Sequence, residues 1–246
     1  MFRYQLLIEY VGTNFRGWQI QKKGKTIQGL IEEKICELLK EKIILFGSGR
    51  TDTGVHAIEQ SAHFDCKNKI PQVERFLKSM NYFLNKDGVT ILKVRRRKNS
   101  FHARFSAKMR IYKYIIINRV GRPVLEKNRG WHIMKELDLK LMKKGAKKLI
   151  GTKDFSTFRA SSCRASSPIK TMKLIKIKSS KSKIEIEFRS QSFLQQQVRS
   201  MVGCLKYLGE KKWSLKKFVK ILKSKKRILC APPAPPEGLY LMRIIY

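Results

Sequence analysis

Alternation opens the chain. Tyr4, Leu6, Ile8 and Tyr10 recur at every second position over residues 3–10, the period that turns one face of a β-strand inward. After a glycine-containing loop, Thr26 is placed to cap a helix whose apolar stripe is Ile27, Leu30, Ile31, Ile35, Leu38 and Leu39. Residues 43–46 and 57–66 read as two more strands. Pro71 then opens a second helix striped by Val73, Phe76, Leu77, Met80 and Leu84. Residues 85–88 form a turn into a strand over 89–97. The order β-α-β-β-α-β is the ferredoxin-like, or split βαβ, unit.

The pattern then returns. Residues 110–118 form a strand with Tyr112, Tyr114 and Ile116 on one face, and Leu141, Met142, Leu149 and Ile150 stripe a helix. Strands follow at 169–178 and 183–189, then a long helix carrying Leu194, Val198, Met201, Val202, Leu205 and Leu208. Ser214 caps a short helix reaching Lys223, and 239–246 closes as a strand. The expectation is an α+β chain of two ferredoxin-like, RRM-like halves, residues 1–105 and 106–246. Their antiparallel sheets join, with helices on one face and a cleft on the other.

Charge gives that cleft a partner. Lys plus Arg number 55 against 18 acidic residues, a net charge of +37, which is the footprint of a polyanion-binding protein. No apolar run reaches about 18 residues and no signal-peptide pattern opens the chain, so a soluble, cytoplasmic protein without a membrane partner is expected. Lysines at helical spacing, Lys140, Lys143, Lys144, Lys147 and Lys148, then Lys216, Lys217, Lys220 and Lys223, describe solvated helix faces. Lys93, Arg95, Arg96, Arg97 and Lys98, with Arg104, Lys108 and Arg110, interleave instead with Phe101, Phe105, Tyr112 and Tyr114. Cations beside aromatic rings suit phosphate contact and base stacking, which is chemistry for unpaired RNA bases rather than duplex DNA. The five cysteines and four histidines are scattered without metal spacing, so neither a zinc site nor a disulfide frame is expected.

Residues 47–57 read Gly-Ser-Gly-Arg-Thr-Asp-Thr-Gly-Val-His-Ala. The glycines allow positive φ and close approach to a ligand. In an extended segment Arg50 and Asp52 point to the same side. A phosphate loop would end in Gly-Lys-Ser/Thr and a calcium loop would carry several carboxylates; here Asp52 stands alone. The local alternatives are a carboxylate that braces its own turn and a reactive one beside an arginine.

Six blocks in order resemble the TruA-type family of tRNA pseudouridine synthases. They are Asn14-Phe15-Arg16-Gly17-Trp18-Gln19; residues 49–57; residues 101–107 with Arg110-x-Tyr112-x-Tyr114; residues 154–159; Val198-Arg199-x-Met201-Val202-Gly203; and residues 234–241. The resemblance implies isomerisation of uridine to pseudouridine at positions 38 to 40 of the tRNA anticodon stem-loop, by a homodimer, without cofactor or metal. It makes Asp52 the catalytic nucleophile, with attack on C1′, attack on C6 and action by deprotonation all left open by the sequence. Arg199 becomes its ion-pair partner, Arg50 the brace for the vacancy left by a flipped base, and Tyr112 the ring stacked on the uracil. Arg104 and Arg110 join the RNA-binding set. Relatives carry histidines just before the Val-Arg pair, where this chain has Gln195, Gln196 and Gln197. Two other readings share the basic surface: a non-catalytic RNA-binding protein, and the same isomerase chemistry directed at ribosomal RNA.

Overall fold

The computed structural model describes residues 1–246. The chain divides into two compact units, Met1–Lys108 with Tyr240–Tyr246, and Met109–Leu239. In chain order the first contains β1 (Phe2–Tyr10), α1 (Ile27–Leu39), β2 (Phe46–Gly47), β3 (His56–Cys66), α2 (Val73–Leu84) and β4 (Val89–Arg97). The second contains β5 (Met109–Asn118), β6 (Trp131–Ile133), α3 (Leu139–Leu149), β7 (Gly151–Asp154), β8 (Ile169–Ser180), β9 (Lys183–Ser190), α4 (Gln197–Gly209) and α5 (Leu215–Ser224). The closing strand is β10 (Leu239–Ile245). The α+β class expected from periodicity is the class observed, and no helix is long and apolar enough to cross a membrane.

In the first unit the strands run β4-β1-β3, with β1 antiparallel to both neighbours. Tyr4, Leu6 and Ile8 are buried, as are Ala62 and Phe64 opposite them. The Phe64 ring meets Phe76 of α2 at 6.3 Å between centroids. The helix is fastened to β4 by Asn81, whose side chain accepts the Ile91 N–H at 2.7 Å and donates to the Ile91 carbonyl at 3.0 Å. Thr26 caps α1 as its position predicts, accepting the Gly29 N–H.

The other face of this sheet is polar. Arg3 forms a forked pair with Asp65 at 2.7 and 2.6 Å, Gln5 donates to Ser61, and Arg97 donates to Gln5. Lys93, Arg95 and Arg97 stand opposite Leu7, Gln5 and Arg3 in register, so the basic run of β4 resolves into a row of cations on this face. Arg96 alternates to the far side and covers the Phe2 ring.

The expected strand at 43–46 is reduced to Phe46 and Gly47. Ile43 and Leu45 are buried as their hydrophobicity predicts, but their backbone is satisfied by α1 side chains. Leu45 N–H donates to Glu32, Gln28 donates to the Leu45 carbonyl, and Ile43 N–H lies against Cys36 Sγ. A segment whose polar groups are already paired has nothing left to offer a ladder. The short β2 pairs only with His63 and Ala62, which leaves the start of β3 to β10, parallel to it through Tyr240 and Leu241.

In the second unit β5, β9, β8 and β7 are neighbours in that order, all antiparallel, and β6 lies parallel to β5. Asp138 and Ser214 cap α3 and α5 through Leu141 and Lys217 N–H groups. The lysines of these two helices point to solvent. Gly145 lets α3 lie close on α4, since an added Cβ would stand 2.4 Å from Leu208 Cδ2. Helix α4 starts at Gln197, three residues later than the apolar stripe suggests, because Gln196 takes a left-handed conformation at φ 60°.

Candidate active site

In the first unit the segment after β2 is held by main-chain and side-chain groups together. Ser48 N–H donates to the Ser61 carbonyl at 2.8 Å, and Gln60 donates to the Gly49 carbonyl at 2.8 Å. Trp18 N–H donates to the Thr51 carbonyl at 3.1 Å, while Tyr10 Oη and Thr51 Oγ1 are 2.7 Å apart. The turn is closed by Val55 N–H on the main-chain carbonyl of Asp52 at 3.1 Å, with Gly54 at φ 79°. Closure therefore uses the backbone of Asp52. Asp52 itself is half-buried, and Arg50 is exposed with its Nε donating to Gln19 Oε1 at 3.0 Å.

Two glycines explain why this loop has one shape. A Cβ at Gly12 would lie 2.0 Å from the Val55 carbonyl oxygen, and one at Gly17 would lie 2.6 Å from that of Thr51. Gly17 also has φ 82°, a region that costs any other residue strain. The segment from Gly12 to Trp18 thus lies directly on the backbone that carries Asp52. His56 completes the mount, accepting the Gly12 N–H at 3.1 Å while its ring stacks on Tyr240 at 4.8 Å.

Beside the loop, the polar face of the sheet carries an aromatic cluster. His63 is buried, its Nδ1 accepting the Ala103 N–H, and its ring lies against Phe46 and His102. Burial, then the neighbouring His102 and Arg3 charges, depress its pKa to about 4, so the ring is neutral near pH 7. Arg104 is exposed, with its guanidinium over the exposed Phe105 ring.

The second unit carries the remaining expected residues on regular elements. Tyr112 and Arg110, two apart on β5, share a face. Tyr112 meets Phe193 edge to face with centroids 5.0 Å apart. Arg110 is 8% exposed and donates to the Gln191 carbonyl. Arg199, half-buried on α4, is mounted by Ala234: its Nε donates to the Ala234 carbonyl at 2.7 Å, and Ala234 N–H donates to the Arg199 carbonyl at 2.9 Å. Tyr114 points to the same mount, donating to the Pro235 carbonyl at 2.7 Å. Burial, then the Glu237 carboxylate, hold its phenol well above the usual range, with Arg199 opposing them. Tyr114 therefore serves as a fixed donor.

The structure thus gathers Asp52 and Arg50 on one loop of the first unit, and places Arg104 in the same unit over the Phe105 ring. Tyr112, Arg110 and Arg199 belong to the second. Sequence reasoning assigned no supporting role to Gly12, Gly17, His56 or Ala234, and read Tyr10 as a strand-face residue and Tyr114 as one of the stacking aromatics; all six hold the loop or the Arg199 mount in place. Gly17 and Ala234 fall in the blocks 14–19 and 234–241, motifs without a stated task. No group of three or more His, Cys, Asp or Glu is placed to hold a metal ion.

A family model described as tRNA pseudouridine synthase matches residues 6–106 and 146–246. The chain belongs to the tRNA pseudouridine synthase family. It is accordingly an RNA pseudouridine synthase, an isomerase that modifies tRNA. A tRNA pseudouridine synthase A of Pelagibacter ubique is 68% identical over 246 residues, covering all of both chains. Enzymes of the same name from Parvibaculum lavamentivorans and Paramagnetospirillum magneticum are 41% and 42% identical over all of this chain, spanning 100% and 96% of their own lengths.

Proposed function

We propose that the substrate site is a uridine at positions 38 to 40 of the tRNA anticodon stem-loop and that Asp52 is the nucleophile. The reaction breaks the N1–C1′ bond, turns the retained uracil, joins C5 to C1′, releases the C5 proton to solvent and returns one proton to N1, so the product is an isomer of the substrate. A carboxylate that forms a covalent intermediate divides that exchange into two lower barriers. The observation that carries the reading is the mount of Asp52: a half-buried carboxylate on a loop whose backbone is fixed by Gly12, Gly17, Tyr10 and Trp18. Preorganisation of this kind is what a covalent step needs and what a turn-bracing aspartate does not.

Arg50, exposed on the same loop, fills the place of the extruded base. Tyr112 offers its ring to the uracil, and Arg199, Arg104 and Arg110 bind the RNA. The row of Lys93, Arg95 and Arg97 supplies phosphate contacts. Cytoplasmic location and a homodimer complete the proposal. The net charge of +37 also favours a second reading in which ribosomal RNA is modified by the same chemistry.

The experiment is pseudouridine mapping of total RNA from cells with and without the gene, paired with purified protein acting on an anticodon stem-loop transcript. The expected result is loss of pseudouridine at positions 38 to 40 of tRNA alone and stoichiometric product in vitro. Loss confined to ribosomal RNA sites would overturn the assignment of substrate site.

A further inference from the structure

Far apart in sequence, two of the five thiols meet in the fold. Cys204 Sγ of α4 lies 3.4 Å from Cys230 Sγ. Cys204 is fully buried and Cys230 is partly exposed, so Cys230 is the more accessible residue of the two.

The frame around the pair is tight. The segment from Arg227 to Ala234 is fastened along α4 by the two Ala234–Arg199 hydrogen bonds and by Arg227 Nη1 donating to Ser200 Oγ at 2.8 Å. At Gly203 the helix approaches Pro232 so closely that a Cβ would stand 2.1 Å from its carbonyl oxygen. Neither partner can slide away. A disulfide bond is about 2.05 Å long, so closure requires the sulfurs to approach by little more than about 1 Å. The hydrogen bond from Cys204, aided by the Arg227 charge against the cost of burial, holds the Cys230 thiol below the ordinary range; that hydrogen bond and burial hold Cys204 above it. Thiolate character and access both select the same attacking sulfur.

We propose that Cys230 and Cys204 form a peroxide-oxidisable dithiol, a modification site that closes into a disulfide across α4 and the segment mounting Arg199. The Cys230 thiolate attacks one peroxide oxygen and the O–O bond breaks. The leaving hydroxide takes up a proton as water, and Cys230 is left as the sulfenic acid. Cys204 then attacks that sulfur; the S–S bond forms, the S–O bond breaks and a second water departs. Two thiols are oxidised and one peroxide is reduced, with nothing else consumed. Intramolecular pairs of this kind act as reversible sensors where thiols are otherwise kept reduced. The linkage also fixes the mount of Arg199, and it stands whether or not that arginine touches RNA.

The test is peptide mapping of the purified full chain under non-reducing conditions after graded hydrogen peroxide. The proposal expects a 204–230 linked peptide before Cys36, Cys66 or Cys163 reacts, reversed by dithiothreitol. Cys204→Ser should leave a sulfenic acid at Cys230 that dimedone traps, and Cys230→Ser should give neither product. In the oxidised protein, amide exchange over 199–205 should slow by about tenfold, with the segment 48–55 unchanged. Oxidation of any other cysteine first, or absence of the linked peptide from native wild-type protein, would overturn the site. Unchanged exchange in α4 would overturn its effect on the arginine's mount.

Discussion

The Asp52 loop and the Tyr112–Arg199 region solve the same problem, holding a side chain in one orientation, in opposite ways. In the first unit Asp52 sits on irregular backbone. Its position comes from glycines that let the segment from Gly12 to Trp18 press on the carbonyls of Thr51 and Val55. In the second, Tyr112 and Arg199 ride on a strand and a helix, and neighbouring residues only trim their orientation: Phe193 against the tyrosine, Ala234 against the arginine. A loop built on close backbone approach tolerates almost no change in its neighbours. A side chain on a regular element tolerates the loss of one contact.

That contrast is breakable. The largest effect should come from Gly12→Ala, which places a methyl group 2.0 Å from the Val55 carbonyl oxygen. We expect destabilisation of about 3 kcal/mol and a fall in turnover on the order of 100-fold, measured by chemical denaturation and by single-turnover product formation. Retained activity in a normally stable variant would remove the claim that this contact shapes the loop. Next, Arg199→Gln should raise KM for RNA about tenfold while the melting temperature moves little, because its mount is partly main chain. A stability loss as large as that of Gly12→Ala would erase the distinction between the two regions.

Smaller still is a pH effect in the first unit. The folded pKa of His63 lies near 4, below its ordinary value of 6.5, so on acidification the unfolded chain takes up a proton that the folded chain refuses. Stability is therefore complete above about pH 6.5 and declines as pH falls toward 4, by up to about 3 kcal/mol from this ring. Thermal melts between these limits should show the decline, and His63→Gln should flatten it. Carboxylates such as Asp65, held below its usual range chiefly by the Arg3 hydrogen bond, will keep a residual slope below pH 4.

The two regions also differ in how far sequence disclosed them. Strands β4, β5, β8 and β9 declare themselves because one face is buried and alternation survives, and β1 does so through Tyr4, Leu6, Ile8 and Tyr10. Helix α1 does so through Thr26 and its stripe. The reading failed at 43–46, where hydrophobicity indicated burial correctly but could not reveal that Glu32, Gln28 and Cys36 of α1 would satisfy the backbone. Strands β6 and β7 are three and four residues long, too short for any period. The motif around Asp52 was visible as residue types, yet the reason for its shape lies at Gly12 and Gly17, more than thirty positions upstream, where nothing local marks a close approach. The same blindness to distance made Cys204 and Cys230 look like isolated thiols.

Asp52 itself is the centre of the account, and the most direct measurement is the single-turnover rate of Asp52→Asn on an anticodon stem-loop, with RNA affinity determined in the same buffer. The account predicts a fall in rate on the order of 1000-fold or more with affinity within about threefold of the wild type, because the basic surface is untouched and only the nucleophile is lost. Product formed at the wild-type rate by RNA-saturated Asp52→Asn would contradict it.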